Sequence, residues 1–535
     1  MNRRNVLTWV GVTLLFTVLT AAMFWPMVRH ADSLAPQHQD VYFNMWRLRW
    51  FAHALSTSPA HLFNANIYFP EKDTFAYSDA MIVECLIAAP FARANPVLVQ
   101  NMMMLAPIVL SAVAIFALCW YLTASRGAGL VAAVAFAFAP YRFEHIMHME
   151  LQWTVWMPLA FLALHRFLDT GRWRDGLAVG ACVALQMLSS IYYGLFLATV
   201  LGAGGAIFFV ADRRISWNRA APPLAVSALM LLLVSAVYSI PYNRAHKVVG
   251  DRPVDQVHTF SAQPHDYTSV LPGNWLYGNS GRPGHGERRL FPGAVVTLLA
   301  IAGLLLRPPS RRMAVYLLLL ALAFDLSLAD SGITYPVLSR FMSPFRGLRA
   351  LARLGVFVLM FLSILAGYGY SLLVHARRPA VRAAVCGALM AVMLAEYVTT
   401  FTLTDFTASA PAMYRVLAHQ PRGVVAEVPV TDPGDPDEAR ATYMSTFHWF
   451  PLVNGYSGNF PPSYLDRFDR LLDFPDDRAL RQLRRDDVSY LIVHEASYSE
   501  ARVEEIHALL NEAGLADLGG FDDGLGPARL YRLRH

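Results

Sequence analysis

The chain has 535 residues, of which 55% are hydrophobic and only 16% are charged, whereas soluble chains carry about 25% charged residues. This composition excludes an ordinary soluble enzyme and indicates a protein of the membrane. The formal net charge of +5 at pH 7 does not indicate a nucleic-acid partner, because the arginines lie at the ends of apolar runs, where the inside-positive bias places them.

Apolar runs near the length that about 30 Å of hydrocarbon requires recur along the chain as far as residue 400. They predict an α-helical polytopic membrane protein with about eleven transmembrane helices. The first run is long enough to span and more spans follow, so it is interpreted as a retained helix and not as a signal peptide. The predicted spans are 6–27, 97–123, 127–140, 151–169, 175–190, 192–211, 221–241, 291–307, 313–330, 351–374 and 382–400.

One alternation of these spans places the arginine-rich breaks on a single side, which is then the cytoplasmic side. The breaks contain Arg3, Arg4, Arg126, Arg172, Arg174, Arg213, Arg214, Arg307, Arg311, Arg312, Arg377, Arg378 and Arg382. The first long segment (28–96), the second long segment (242–290), the turns 141–150 and 331–350, and everything after residue 400 then face outward. We therefore expect a multi-pass protein of the inner (plasma) membrane.

The chain after residue 400 has the pattern of a small α/β domain. Strands are predicted at 424–430, 490–493 and 528–533, and helices at 476–485 and 500–513. Its length of about 135 residues suffices for one hydrophobic core. We predict a membrane domain at 1–400 and an extracytoplasmic domain at 401–535.

The first long segment contains the first group of candidate functional residues. A helix that begins near residue 40 would carry Asp40, Asn44 and Arg47 on one face. Its aromatic face would consist of Trp46, Trp50 and His53, which is typical of a helix lying on the membrane surface. Asp40 is a candidate general base, because it is a carboxylate placed just outside a helical bundle. The alternative is that Asp40 only caps this helix.

The turn YRFEHIMHMELQW, residues 141–153, gathers Glu144, His145, His148 and Glu150. Glu144 and His148 are four residues apart and would share a helical face. Such a set can bind a divalent metal such as Mg²⁺ or Mn²⁺, or orient a substrate hydroxyl. A divalent metal is the one cofactor that the sequence raises, and local ion pairing is the competing interpretation because the spacing matches no strict metal signature.

Three arginines in the segment SPFRGLRALARLG break the inside-positive trend, because they fall on the outer side. Arg346, Arg349 and Arg353 stand at i, i+3 and i+7, and we predict that they share one face of a helix entering the membrane. Guanidinium groups near a helix N-terminus are suited to bind phosphate or pyrophosphate. Snorkelling toward anionic lipid headgroups is the alternative.

The order of these segments resembles the GT-C superfamily of integral membrane glycosyltransferases. The resemblance rests on the acidic residue just after the first span, the segment YSDAMIVECLIAAP, the turn YRFEHIMHMELQWTVWMPLAFLALHRF and the trailing domain, and it covers roughly residues 1–400. In that family the acidic residue of the first loop acts as base or contributes to the metal and donor site. The resemblance carries this role to Asp40, with Asp79 as the alternative, although Asp32 and Asp40 do not reproduce the usual paired acidic motif.

The resemblance implies a hexosyl- or pentosyltransferase that moves a sugar from a polyprenyl-phosphate donor to an extracytoplasmic glycan, lipid or protein. Asp40 would remove the acceptor proton, and the arginine face would hold the departing lipid phosphate. Two other functions stay open. A lipid or glycan transporter or flippase would need charges at mid-membrane depth, whereas the charges here cluster at the outer rim, and the main exception, Asp325 in the ninth span, lies close to the outer end. A non-enzymatic envelope assembly protein would use the spans only as scaffold.

Overall fold

The computed structural model describes residues 3–211, 216–250, 254–278, 286–472 and 474–533. Outside the described residues lie Arg213 and Arg214 and the side chains of Arg3, Arg4 and Arg346. The chain divides into two compact units. The bundle unit consists of Met1–Arg29, Met103–Val237 and Asp251–Thr402, and the sheet unit consists of His30–Met102, Tyr238–Gly250 and Leu403–His535.

Each apolar run that the sequence predicted as a span contains a helix, since a helix satisfies every backbone group within its own segment. Six helices among the described residues are long and apolar enough to cross a membrane, namely Asn5–Met23, Pro96–Thr123, Ile191–Ala211, Trp217–Val249, Leu351–Leu373 and Pro379–Tyr397. Shorter helices occupy the remaining runs, namely Arg126–Ala137, Trp156–Thr170, Trp173–Ser189, Ala294–Leu306 and Arg311–Ser327. The chain is a multi-pass membrane protein, and the count of eleven spans stays a prediction.

Small residues let helices of the bundle unit approach one another closely. A Cβ atom added to Gly303 would lie 2.7 Å from the Cα atom of Gly369, so the helices that carry these glycines cross at backbone contact. Similarly, a Cβ atom on Gly180 would lie 2.8 Å from the carbonyl oxygen of Ser227. Close approach through small residues is the usual basis of helix association in lipid, where apolar surface gains nothing by leaving water.

Asp325 lies at the C-terminal end of the helix Arg311–Ser327 and not at the middle of a span. Its carboxylate accepts hydrogen bonds from the amides of Ile333 and Thr334, each at 2.8 Å. These bonds hold the start of the amphipathic helix Thr334–Phe341. Asp325 therefore has a structural role in the connection between two helices, and it does not provide the mid-membrane charge that a transporter would need.

The sheet unit contains two small β-sheets. Strand β1 (Leu34–Pro36) pairs antiparallel with β2 (Leu403–Asp405). The four-stranded sheet has the order β3-β4-β6-β5, with β3 (Val424–Val428) parallel to β4 (Val488–Val493), and with β6 (Pro527–Arg532) antiparallel to β4 and to β5 (Ala516–Asp522). The main helices of its C-terminal part are Ala412–Ala418, Pro436–Met444, Pro462–Leu471, Asp477–Arg485 and Glu500–Glu512. Apolar residues of the sheet and of the last three helices form one core, as the alternating pattern of the tail predicted.

The first long segment is bonded into the sheet unit. The amide of Tyr68 donates to the carbonyl oxygen of Asn454 at 3.1 Å, and the amide of Leu452 donates to the carbonyl oxygen of Asn66 at 2.8 Å. The Asn66 side chain also donates to the hydroxyl of Ser445, which lies 379 residues later in the chain. These bonds satisfy buried polar groups on both sides, so residues near 66 and near 450 form one folded element.

The helix Gln39–Thr57 carries its aromatic residues in the interior of the sheet unit. Trp46 is fully buried, and its indole nitrogen donates to the side-chain oxygen of Asn66 at 3.1 Å. Trp50 is also buried and donates to the carbonyl oxygen of Leu62 at 2.9 Å. The predicted arrangement on the membrane surface is therefore wrong for this face, because its indoles pack on protein and find protein acceptors.

Candidate functional site

The turn 141–150 is buried within the bundle unit. It contains the short helices Pro140–Glu144 and Met149–Gln152. Arg142 is fully buried and donates to the carbonyl oxygen of Gln152 at 3.1 Å and to the hydroxyl of Thr154 at 2.5 Å. The Gln152 amide in turn donates to the carbonyl oxygens of Arg142 at 3.0 Å and of His145 at 2.9 Å. These reciprocal hydrogen bonds fix the turn and the position of its acidic and imidazole side chains.

Glu144 and His148 do not share a helical face, because the helix ends at Glu144 and His145 is its C-cap. The two imidazoles meet instead, with 3.2 Å between the Nδ1 atoms of His145 and His148, so that one ring donates and the other accepts. Burial lowers the pKa of His145 to about 3, which keeps this ring neutral. The Nε2 atom of His145 is buried without a hydrogen-bond partner.

The structure gives the predicted metal ligands Glu144 and His148 other neighbours. Glu144 pairs with Arg289, and His148 contacts His145. In the described part of the chain, no group of three or more His, Cys, Asp and Glu side chains is arranged to hold a metal ion. These residues do not fit a resident metal with three protein ligands, and a weaker site built on the two side chains alone stays a prediction.

Three consecutive charged residues of the second long segment each form an ion pair within the bundle unit. We call these three residues (287–289) the charged clip. Glu287 pairs with Arg353 at 2.5 Å, Arg288 with Asp266 at 2.7 Å and Arg289 with Glu144 at 3.1 Å. The three carboxylates are between 1% and 14% exposed. Pairs that include such buried carboxylates are screened little by solvent, so the clip fixes this segment on the turn 141–150 and on the start of the helix Gly355–Leu373.

Two carboxyl groups in these ion pairs have pKa values that are shifted in opposite directions. Burial alone would raise the pKa of Glu287, but the guanidinium of Arg353 outweighs burial and holds that pKa well below its ordinary value. Burial raises the pKa of Glu144 to about 7, although the guanidinium of Arg289 opposes the shift. At neutral pH Glu287 is therefore ionised, while Glu144 is divided between its ionised and protonated forms.

The predicted arginine face does not exist as one helical face. Ser343–Arg346 is a separate short helix, residues 347–350 are not helical, and Leu351–Leu354 is a 3₁₀ turn that precedes the helix Gly355–Leu373. The i, i+3, i+7 spacing therefore does not apply to Arg346, Arg349 and Arg353, because the backbone between them leaves helical geometry.

Arg349 and Arg353 nevertheless converge on one aromatic residue. The hydroxyl of Tyr192 accepts a hydrogen bond from the Arg349 amide at 3.2 Å, and the guanidinium carbon of Arg353 lies 5.2 Å from the centroid of the Tyr192 ring. The guanidinium carbon of Arg349 lies 5.4 Å from the ring centroid of Phe260. Cation–π contacts of this kind orient guanidinium groups without neutralising them.

Asp40 lies in the first turn of the helix Gln39–Thr57 in the sheet unit. The hydroxyl of Tyr456 donates to its Oδ1 atom at 2.6 Å, and the Nδ1 atom of His38 lies 3.7 Å from its Oδ2 atom. The N-cap is His38, whose Nδ1 atom accepts a hydrogen bond from the Asp40 amide at 3.1 Å. Capping therefore does not explain the carboxylate of Asp40, which is 18% exposed and accessible to a small reactant.

Arg47 joins the two predicted catalytic segments of the sheet unit. Its guanidinium contacts the side-chain oxygen of Asn44, lies 4.4 Å from the ring centroid of Phe43 and donates to the carbonyl oxygen of Asp79 at 2.9 Å. Asn44 is fully buried, and Asp79 is half-buried. The predicted proximity of Asn44 to Arg47 is confirmed, and Asn44 acts there as an acceptor that positions the arginine.

A second charge network lies in the sheet unit, at the carboxyl ends of the parallel strands β3 and β4. His494 lies between Glu427 and Asp523, with distances of 2.8 Å from Nε2 and 2.7 Å from Nδ1 to the nearest carboxylate oxygens. Arg440 pairs with Asp523 at 3.2 Å, and Tyr414 donates to Glu427 at 2.9 Å. Burial would lower the pKa of His494, but its two carboxylate partners outweigh burial and raise that pKa to about 9.

Among solved structures, this fold recurs in the single-particle cryo-EM structure of the arabinofuranosyltransferase AftD from mycobacteria. The TM-score is 0.66 at 16% sequence identity, and the match covers 99% of this chain and 42% of the AftD chain. This chain has the GT-C fold. At that identity the likeness is one of fold, and the chain spans less than half the length of AftD.

The GT-C fold predicted from the sequence is thus confirmed. The crystal structure of ArnT from Cupriavidus metallidurans in the apo state also matches, with a TM-score of 0.41, 11% identity and coverage of 98% of both chains. No family model matches the sequence, and no curated protein matches it.

Several residues of these sites were not singled out from the sequence. Glu287 is the only acidic residue between Asp266 and Asp325 and is followed directly by two arginines, which is the one local signal that it has a partner. Tyr192 and Tyr456 carry no such signal, because tyrosine is common in apolar spans and in loops. Their contacts depend on the tertiary fold.

Proposed function

We propose that this chain is a membrane glycosyltransferase that moves a sugar from a polyprenyl-phosphate donor to an extracytoplasmic acceptor. The observation that carries the proposal is the buried guanidinium of Arg353, which lies at the start of an apolar span and is held by Glu287 and Tyr192. A charge at the boundary of a span is costly and marks a functional site by default. In a GT-C fold, a lipid phosphate is the anion that such a guanidinium would meet.

The proposed function includes a membrane topology for the chain. All eleven apolar helices cross the membrane, with the long segments 28–96 and 242–290 on the outer side of the membrane domain 1–400. The C-terminal domain 401–535 is periplasmic in an inner-membrane protein. The distribution of arginines along the chain supports this orientation, and the shorter helices fit a span if neighbouring helices bury their ends.

In the donor half of the reaction, the charged groups of the bundle unit bind the phosphate. Arg353, over the ring of Tyr192, and Arg349, over the ring of Phe260, balance the charge of the donor phosphate and of the lipid phosphate that leaves. We include Arg346 in this phosphate site because of its position in the sequence beside Arg349 and Arg353. His145 and His148 form a coupled donor and acceptor pair that is suited to orient a sugar or phosphate oxygen, because one imidazole fixes the tautomer of the other.

In the acceptor half, Asp40 is the general base, with Asp79 as the alternative. The acceptor hydroxyl gives its proton to the Asp40 carboxylate and its oxygen bonds to the anomeric carbon, while the bond from that carbon to the phosphate oxygen breaks and leaves its electron pair on the lipid phosphate. Tyr456 positions the carboxylate, and Asn44 positions Arg47 in the same unit.

The test is transfer of radiolabelled sugar from a panel of polyprenyl-phosphate hexoses and pentoses in membranes that contain the full chain. Asp40→Asn should lower transfer by at least about 10²-fold, because a positioned base contributes that much. Asp466→Asn, an exposed carboxylate of the same unit, should stay within about twofold. Full activity of a folded Asp40→Asn protein would reject the base, and the absence of transfer from every donor by the wild type would reject the function.

A further inference from the structure

A cavity of about 460 Å³ lies in the bundle unit, away from the charged clip. Its polar lining consists of Thr123, Ser310, Arg311, Arg312, Tyr368 and Ser371. Arg353 precedes the helix Gly355–Leu373, whereas Ser371 is in its last turn. At 1.5 Å per helical residue the two positions are roughly 27 Å apart along the helix, so the cavity lies at the opposite end of the bundle from the proposed donor site.

Two arginines of the cavity are oriented by contacts outside it. Arg311 donates to the carbonyl oxygen of Ala211 at 3.0 Å. Arg312 pairs with Asp169 at 2.6 Å, and the same carboxylate accepts a hydrogen bond from Tyr121 at 2.7 Å. The lining that the structure describes contains these two guanidinium groups and no carboxylate, so it carries positive charge.

Hydroxyl donors complete the lining. Tyr368 and Ser371 lie one turn apart on the helix Gly355–Leu373 and line the same cavity as the two arginines. Guanidinium and hydroxyl groups that converge on one cavity are the donor set that recognises a phosphate oxygen. A bias of arginines toward one membrane side explains the charge of this region, but it does not explain a cavity with convergent donors.

The cavity also lies at the ends of two helices that are long and apolar enough to cross a membrane. The span Pro96–Thr123 ends at Thr123, and the span Leu351–Leu373 ends two residues after Ser371. The two leucines of the lining, Leu122 and Leu372, belong to these span ends. We propose that the cavity binds the phosphate of an anionic membrane lipid, whose acyl chains lie along the neighbouring apolar helices.

The proposal can be tested with the full chain in nanodiscs of phosphatidylcholine to which phosphatidylglycerol is added, with binding measured by native mass spectrometry. The wild type should bind phosphatidylglycerol at least about tenfold more tightly than added short-chain phosphatidylcholine, and Arg311→Gln should lose about tenfold or more of that affinity, as the loss of a charged hydrogen bond predicts. Tyr368→Phe should lose roughly two- to tenfold, because it removes one neutral donor.

The matched control is Arg307→Gln, which removes an exposed arginine from the same break without touching the cavity lining. Its affinity for phosphatidylglycerol should stay within about twofold of the wild type. An equal loss in Arg307→Gln and Arg311→Gln, or no preference of the wild type for phosphatidylglycerol, would overturn the proposal. Glycerol phosphate or inorganic phosphate that competes fully at equal concentration would overturn the lipid as source and assign the cavity to a soluble phosphate.

Discussion

The charged clip of the bundle unit and the network around His494 in the sheet unit bury similar groups in different ways. In the sheet unit, both nitrogens of His494 are committed to carboxylates, and one of these carboxylates also holds Arg440. Its imidazole has no free nitrogen, whereas the Oε1 atom of Glu427 is buried without a hydrogen-bond partner. In the bundle unit each charge of the clip has one main partner, and His145 beside it keeps an unbonded Nε2 atom.

The two networks differ in what their histidines can still bind, although the residues around His494 also line a pocket. A doubly bonded imidazolium has no lone pair left for catalysis, so His494 is suited to hold the ends of β3 and β4. The Glu287–Arg353 pair, by contrast, places one carboxylate on a guanidinium that could equally hold a phosphate. Three experiments sharpen this contrast.

Removal of the central imidazole should have the largest effect on stability. His494→Ala leaves Glu427 and Asp523 facing each other without the cation between them, and we expect a loss of about 3–5 kcal/mol in the free energy of unfolding of the sheet unit. Denaturant unfolding followed by tryptophan fluorescence measures it. His507→Ala is the comparison, because the partly exposed pair of His507 with Glu495 should contribute under about 1 kcal/mol. Equal losses in the two variants would show that the His494 network is not special.

Substitutions in the Glu287–Arg353 pair should change donor affinity in opposite directions. Arg353→Gln should weaken binding of a polyprenyl-phosphate sugar by roughly 10- to 100-fold, since it removes a charged hydrogen-bond donor. Glu287→Gln removes the competing carboxylate and should tighten binding by roughly two- to tenfold, while it lowers the thermal stability of the free protein. Equilibrium binding of the donor in detergent measures the affinity of each variant, and unfolding midpoints measured in parallel give its stability. Together they distinguish a phosphate site from a purely structural ion pair. If both variants weaken binding alike, the pair is structural, as the pairs of His494 are.

The smallest expected effect concerns pH and Glu144. Its pKa of about 7 in the folded protein lies above its ordinary value of 4.5. The protonated carboxyl therefore contributes stability that is fully present below pH 4.5 and is lost as the pH rises through 7. Glu144→Gln cannot ionise, so its unfolding midpoint should gain a few degrees relative to the wild type between pH 5 and pH 9. If the difference between the two unfolding midpoints did not change with pH, Arg289 would compensate fully for the burial of Glu144. The carboxylate partners of His494 compensate for burial in that way.

The sequence predicted most of the helices because apolar run length is a local property. It also located the group at 141–150 and the contact between Asn44 and Arg47, which depend on short separations. It was wrong about the arginine face, because Gly347 and the non-helical residues after it interrupt the periodicity. It missed the pairing of Glu287 with Arg353, since no local pattern encodes which of many arginines a loop carboxylate meets.

The prediction for the aromatic face of the helix Gln39–Thr57 failed for a related reason. Indoles at a membrane surface and indoles in a protein core have the same sequence pattern, and the acceptor of Trp46 is the distant Asn66. Three strands of the tail, by contrast, could be predicted because each is a short run of mostly apolar residues, whereas β5 (Ala516–Asp522), with two glycines and two aspartates, was not predicted.

The hydrogen bond between Asn66 and Ser445 also has a consequence for synthesis of the chain. The two residues are 379 positions apart, so at about 5–20 residues per second the early half is made roughly 20 to 75 seconds before its partner. During that time Trp46 and its neighbours lack the core in which they are finally buried. A ribosome that stalls before residue 445 would therefore leave an unfolded, aromatic-rich segment, of the kind that chaperones bind and proteases degrade.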